Sequence, residues 1–376
     1  MVEKRNKDKK PYQRIGIIGD ALAPHFNSAP ANQMFLLSQQ LGIPVLTGNS
    51  LGLLPFKKMG QYLIINIRFL RARTPFLSSL NGAIFYPFVK LFERRFDVIY
   101  LAGGIDSGFL RILDLKKCIL IINALPFSDN DDIVKTFTQK FALGLLGIFA
   151  QSRRIKERLV SMGIDNEKVH AIYPWVDLKK FEYSQPPVGD ACNILFASAP
   201  DAESQREDYF IEKGVGLLLE SFAEFIKHHK ASLCLLWRWK YNQTLFRKIK
   251  ELSLESQVEV INRVIDTPPL YARAHITVIP FLSMRGGPEI PLSAVESLAC
   301  GRPVVTTEVL EIAEIVKEYQ CGCVAKPVKE DFISALVECK KNYALYQANC
   351  RRVAEELFNC DEIPLTSKKN TAKGNT

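Results

Sequence analysis

Two α/β domains, each a parallel sheet covered by helices on both faces, are the architecture this sequence predicts. Three observations carry it. Short apolar, β-branched runs at 15–18, 98–101, 118–122, 148–150, 194–197, 233–236, 258–261, 276–279 and 304–306 alternate with helical patterns, as buried parallel strands do. The 376 residues, 47% of them hydrophobic, can fill two cores and exceed one ordinary domain. Ser184-Gln185-Pro186-Pro187-Val188-Gly189-Asp190 interrupts the pattern with prolines and a glycine just before a fresh run. That break divides the chain into a first domain at 1–185 and a second at 186–345.

The run at 15–18 opens the first sheet. The loop after it, Gly19 to Pro30, has no paired glycines and no G-x-G-x-x-G fingerprint, which speaks against a dinucleotide cofactor. It still follows the carboxyl end of a strand, where parallel sheets bind ligands, so Asp20, His25 and Asn27 are candidate contacts. Next comes a basic stretch, 57–96, in which Lys57, Lys58, Arg68, Arg71, Arg73, Lys90, Arg94 and Arg95 face one acid, Glu93. Most of the +9 net charge sits there, among Leu63, Ile64, Ile65, Ile67, Phe69, Leu70, Phe76, Leu77, Phe85, Phe88 and Phe92. Basic side chains beside apolar ones suit peripheral contact with an anionic membrane; the alternative is a domain core with a solvated basic face. The stretch carries no nucleic-acid module, so no nucleic-acid partner is expected.

The run at 118–122 leads into Asn123-Ala124-Leu125-Pro126 and then Ser128-Asp129-Asn130-Asp131-Asp132, read here as a solvated acidic turn rather than a metal motif. No metal is expected. Met1 to Arg14 is too charged for a secretory signal, and the longest apolar runs, such as 141–150, are too short to cross a bilayer. The 9 cysteines lack paired spacing and suit a reducing compartment. The expected location is cytoplasmic, with peripheral contact on the inner membrane face.

In the second domain, Glu212-Lys213-Gly214-Val215 precedes Leu217, Leu218, Phe222, Phe225 and Ile226 at helical spacing. A lysine at a helix N-terminus opposes the helix dipole, so either a bound anion accounts for it or it is an exposed loop residue. Later, Gly286-Gly287-Pro288-Glu289-Ile290-Pro291-Leu292-Ser293-Ala294-Val295-Glu296 leads to Ser297-Leu298-Ala299-Cys300-Gly301-Arg302-Pro303-Val304-Val305. The segment reads as loop, helix and strand, with Pro291 in the first turn and Gly301 at the helix end. The amides around Ile290, Pro291 and Leu292 favour an anion such as a diphosphate. Glu289 and Glu296 either accept sugar hydroxyls or complement the helix dipole.

The last segment resembles the C-terminal signature of family 4 retaining glycosyltransferases, also called group 1 glycosyl transferases: glutamate, seven residues, glutamate, then an Ala-Cys-Gly-x-Pro-Val-Val run. Glu296 to Val305 matches the second half; Pro288 stands eight places before Glu296, with Glu289 one place late. Lys213-Gly214 and its helix, Ala150 to Phe181, and Asn262-Arg263-Val264 through Ala274 are similar to further parts of the family. The resemblance spans residues 97 to 360 and is strongest over 193–330. It implies the GT-B fold, two Rossmann-like domains facing a cleft, with a helix at 346–363 crossing back to the first domain. The Lys, Thr, Asn and Gly beyond, at 364–376, form a tail expected to be disordered.

The implied activity is retaining transfer of a hexose from a nucleotide-sugar to an acceptor, a lipid-linked or cell-surface glycan precursor. The alternative is an inactive GT-B protein that only binds nucleotide-sugars. In the family a lysine and an arginine shortly before it clamp the diphosphate. Lys213 takes the first role; Ala197-Ser198-Ala199-Pro200 occupies the usual place of the arginine, leaving Arg206 as the candidate. Glu289 would hold the donor sugar. Gly214, Gly287, Ile290, Pro291, Leu292, Glu296 and Arg263 would bind the rest of the donor, with Asp20, His25 and Asn27 on the acceptor side. No cofactor is implied, the nucleotide-sugar being a co-substrate.

Overall fold

The computed structural model describes residues 14–19, 29–49, 56–60, 62–66, 86–105, 107–125, 132–199, 208–238 and 242–360. The first sheet has eight strands: β1 (Ile15–Gly19), β2 (Val45–Asn49), β3 (Phe56–Met59), β4 (Tyr62–Asn66), β5 (Val98–Ala102), β6 (Cys118–Ile122), β7 (Gly147–Ala150) and β8 (Val169–Ala171). Their order is β3-β4-β2-β1-β5-β6-β7-β8, parallel throughout except for the edge strand β3, which runs against β4. Strands β5, β6 and β7 are buried at every position, the continuous apolar pattern of a parallel sheet covered on both faces. Alternation assigns neighbours to opposite faces. Ile17 packs with Met34 and Leu37 of α1 (Ala29–Leu41), while Ile18 packs with Val89 and Phe92 of α2 (86–93).

The sheet continues through α3 (Asp132–Thr136) and α4 (Arg153–Ser161), the latter started by Ser152, whose hydroxyl accepts from the Ile155 N–H at 2.9 Å. In the second domain β9 (Cys192–Phe196) is followed by α5 (Tyr209–Glu212), α6 (Val215–Phe225), β10 (Ala231–Leu236), α7 (Gln243–Glu251) and β11 (Val258–Ile261). Then come α8 (Pro268–Arg273), β12 (Ile276–Ile279), α9 (Leu292–Ala299), β13 (Val304–Thr307), α10 (Ile312–Glu318), β14 (Gly322–Ala325), α11 (Lys329–Lys341) and α12 (Tyr343–Leu357). The six strands run parallel in the order β11-β10-β9-β12-β13-β14. This is the doubly wound order, and its switch point, where ligands bind beyond the carboxyl ends, falls between β9 and β12.

Strands β2, β3, β4, β8 and β14 carry no signal in the alternation read from the sequence. The difference matters most within 57–96, where an amphipathic membrane face was expected. Ile64 is instead a core residue of β4 and Phe92 of α2, so at these positions sheet and core burial replace a lipid contact. Arg68, Arg71 and Arg73 lie outside the described residues, as do Asp129 and Asp131.

The chain passes between the domains twice, and the two crossings pair. The Val176 N–H donates to the Phe358 carbonyl at 2.8 Å, and Val176 forms a parallel bridge with Asn359. Beyond α12, Cys360 joins the core of the first domain beside Ile172 and Trp175. The break at 184–190 is held by Arg302, whose buried guanidinium donates to the Ser184 carbonyl (2.8 Å), the Ser184 hydroxyl (2.6 Å) and the Gln185 carbonyl (3.0 Å).

Candidate active site

Helix α1 of the first domain and the carboxyl ends of β9 and β10 enclose a cleft of about 510 Å³. On the first-domain side it is lined by Asn32, Gln33, Phe35 and Leu36. Gln33 is fully engaged: its Nε2 donates to the Trp175 carbonyl (2.7 Å) and its Oε1 accepts the Trp175 N–H (2.6 Å). One side chain thus fixes α1 against the first crossing segment.

On the other side, β9 ends in Ala197-Ser198-Ala199, all small and all lining the cleft. Facing them is the opening turn of α9, with Pro291, Leu292 and Ser293. The Ser198 and Ser293 hydroxyls meet at 2.6 Å. Small residues at a strand end let a ligand approach backbone N–H groups closely, and a helix N-terminus offers those groups a partial positive charge.

Lys213 follows α5 and lines the same cleft. It is 6% exposed, with Nζ 4.6 Å from the Phe281 ring centre and 5.5 Å from that of Tyr209. Aromatic faces accept a cation without neutralising it. The turn that delivers Lys213 depends on Gly214, at φ +65°, where an added Cβ would lie 1.7 Å from the Pro280 carbonyl oxygen. Only a residue lacking that carbon lets the end of α5 pack so closely on the end of β12.

Glu296, on α9, accepts the Tyr271 hydroxyl at 2.8 Å and lines the cleft floor. Burial pushes its carboxyl up to about 7; the Tyr271 bond and nearby Lys180 pull the other way, and Asp266 adds to the rise. A carboxylate on this floor can accept paired hydroxyls such as a ribose diol. Lys180 and Asp266 form an ion pair at 3.1 Å between the first crossing segment and the loop after β11.

The cleft therefore gathers Lys213, Pro291, Leu292 and Glu296, with Gly214 shaping the turn beside it. Other expected residues stand apart. Ile290 is a core residue, Gly287 packs against the Phe281 ring, and Arg263 is exposed outside the lining, although Val264 to Thr267 just after it do line the cleft. The Glu289 carboxylate accepts the Glu311 N–H at 2.8 Å and lies 3.6 Å from Arg154, outside the lining. Burial raises its pKa, with the Glu311 N–H and Arg154 opposing. Asp20, His25, Asn27 and Arg206 lie outside the described residues. Sequence reasoning missed Gln33, Tyr271 and Arg238, the last a cleft residue just past β10. Its signal was available: a charge at the carboxyl end of an apolar parallel strand, between Trp237 and Trp239.

This architecture is found in solved structures at low identity. Sucrose-phosphate synthase from Thermosynechococcus elongatus superposes with a TM-score of 0.71 at 15% identity, over 92% of this chain and 95% of that one. HepE from Anabaena, in complex with UDP-glucose, gives 0.67 at 14%, over 92% and 96%. WaaG, a glycosyltransferase involved in lipopolysaccharide biosynthesis, gives 0.66 at 14%, over 90% and 95%. Two facing Rossmann-like domains with a cleft between them define the GT-B class. Within that class, residues 207–355, most of the second domain, match the family model described as Glycosyl transferases group 1. No curated protein matches the sequence.

Proposed function

We propose that the protein transfers a hexose, with retention of anomeric configuration, from a nucleotide-sugar held by the second domain to an acceptor bound against α1. The observation that carries this reading is the meeting in one cleft of Lys213, the opening turn of α9 and Glu296. The diphosphate lies against the α9 amides with Lys213 beside it, and the ribose hydroxyls reach Glu296. Arg238 enters the same cleft and supplies a second positive group where β9 ends in small residues.

In the reaction the bond between anomeric carbon and phosphate oxygen breaks, and its electron pair leaves with the nucleoside diphosphate. Lys213, Arg238 and the α9 amides are placed to stabilise that growing negative charge. The acceptor oxygen attacks the face the diphosphate leaves, and its proton passes to the departing phosphate oxygen, so no protein base is needed.

UDP-glucose is the first donor to test, since it is the ligand named for HepE. A panel of nucleotide-sugars is screened for thermal stabilisation, a ligand at 100 times its dissociation constant adding about 2.7 kcal/mol. NMR of the hydrolysis product then reads the configuration. Stabilisation by one donor and release of the same anomer support the reading; no stabilisation by any donor, or release of the opposite anomer, defeats it.

For the acceptor we propose a lipid-linked glycan met at an anionic membrane surface. Helix α2 supports this: Tyr86 is 47% and Leu91 54% exposed, with Arg94 and Arg95 exposed just beyond.

A further inference from the structure

Glu289 begins the short loop that leads into α9, yet its bonds run away from the cleft. Its Oε2 accepts the Glu311 N–H (2.8 Å) and its carbonyl accepts the Ile312 N–H (3.1 Å), so Glu289 holds the start of α10. Glu311 in turn reaches into the first domain. Its two carboxylate oxygens accept the N–H groups of Arg153 (3.0 Å) and Arg154 (2.8 Å), which open α4. Arg154 returns the contact: Nε and Nη2 donate to Glu314 (2.9 and 2.7 Å), Nη1 donates to the Val309 carbonyl (2.9 Å), and Nη1 stands 3.6 Å from the Glu289 carboxylate. The circuit closes on itself. Glu311 is 1% exposed, so its bonds to α4 are made away from water, where losing one leaves an uncompensated charge.

We propose that Glu289 is a positioning residue: through Glu311 and Arg154 it sets the angle between the domains, and with it the distance from α1 to the opening of α9. A single carboxylate thereby couples the loop that opens α9 to the domain on the acceptor side. This rests on the reading of the cleft as a nucleotide-sugar site only for its effect on turnover; the interdomain angle is measurable without any donor.

The test uses spin labels on Glu167→Cys and Glu330→Cys, exposed positions in the first and second domains; the native thiols are buried or half-buried. Distance distributions are compared for the labelled parent, Glu289→Ala, Glu289→Gln, Arg154→Ala and the double Ala variant. Glu289→Ala and Arg154→Ala are expected to broaden the distribution alike, the double variant adding little because both break one circuit. Glu289→Gln, which still accepts from Glu311, should stay close to the parent. With UDP-glucose as probe, the two Ala variants should lose about ten- to a hundredfold in kcat with UDP affinity changed less than about twofold, as expected of misplacement rather than lost binding. Unchanged distributions in both Ala variants overturn the proposal. So does a Glu289→Ala variant that binds UDP normally and UDP-glucose poorly beside a normal Arg154→Ala, which would make Glu289 a direct sugar contact. If Glu289→Ala does not fold, Arg154→Ala and Glu289→Gln decide. Broadened distributions in the Ala variants, beside a parent that binds no nucleotide-sugar, keep the brace and defeat only the donor reading.

Discussion

The ammonium of Lys213 lies against the rings of Phe281 and Tyr209 and lines the cleft. Lys213→Ala is therefore expected to reduce kcat/KM for transfer at least about a hundredfold without unfolding the protein. Near-normal turnover would count against the site. Because the same charge and the α9 amides face the diphosphate position, transfer should also survive EDTA; activity lost on chelation and restored by magnesium or manganese would refute this. Glu296 makes a different prediction. Its folded carboxyl titrates at about 7 against an ordinary 4.5, so between these values the folded protein keeps a proton that the unfolded chain has released. Stability then falls as pH rises through that window, and at pH 8 the ionised group costs at most about 3 kcal/mol, at about 1.4 kcal/mol per unit. Glu296→Gln should raise Tm at pH 8, match the parent near pH 4, and weaken donor binding. A lower Tm at pH 8 would show that this carboxylate is not strained in the empty cleft.

Gly214 shows what a single position asks of its elements. Its left-handed backbone and the Pro280 carbonyl leave no room for a side chain, so Gly214→Ala should cost roughly 2–5 kcal/mol in urea unfolding and misplace Lys213. A change within about 0.5 kcal/mol would deny that the contact between α5 and β12 is tight. The strands most legible in the sequence are those buried on both faces, such as Cys118–Ile122 and Ile276–Ile279, where an apolar run can mean little else. The missed ones have physical reasons. Strand β2 runs out in Thr47-Gly48-Asn49, β8 has three residues including His170, and β14 opens on Gly322. Strand β4 is flanked by basic residues whose charge reads as surface, although Tyr62 and Ile64 are buried.

At the scale of the whole molecule, the site draws on both domains, which limits what sequence alone tells. Lys213 and Glu296 are found by local pattern because each stands at a helix within a recognisable segment. Gln33 and Trp175 are not, since their bond joins residues far apart in the chain and neither type announces a ligand. Among the described residues no helix is long and apolar enough to cross a membrane. If the acceptor is met at such a surface, the protein should co-sediment with vesicles in proportion to anionic lipid at low salt. Charge reversal at Arg94 and Arg95 should weaken that binding while sparing donor hydrolysis, at about 1 kcal/mol per apposed charge. Binding indifferent to anionic lipid would leave a soluble acceptor. The pairing of the two crossing segments reaches further still, into synthesis. Cys360 completes the core of the first domain, and the Phe358 carbonyl completes the backbone bonding of Val176, yet the ribosome makes both only after the entire second domain. The first domain thus emerges without the Cys360 contact beside Ile172 and Trp175, and must wait for the second to be translated before that contact and the Val176 bonds can form.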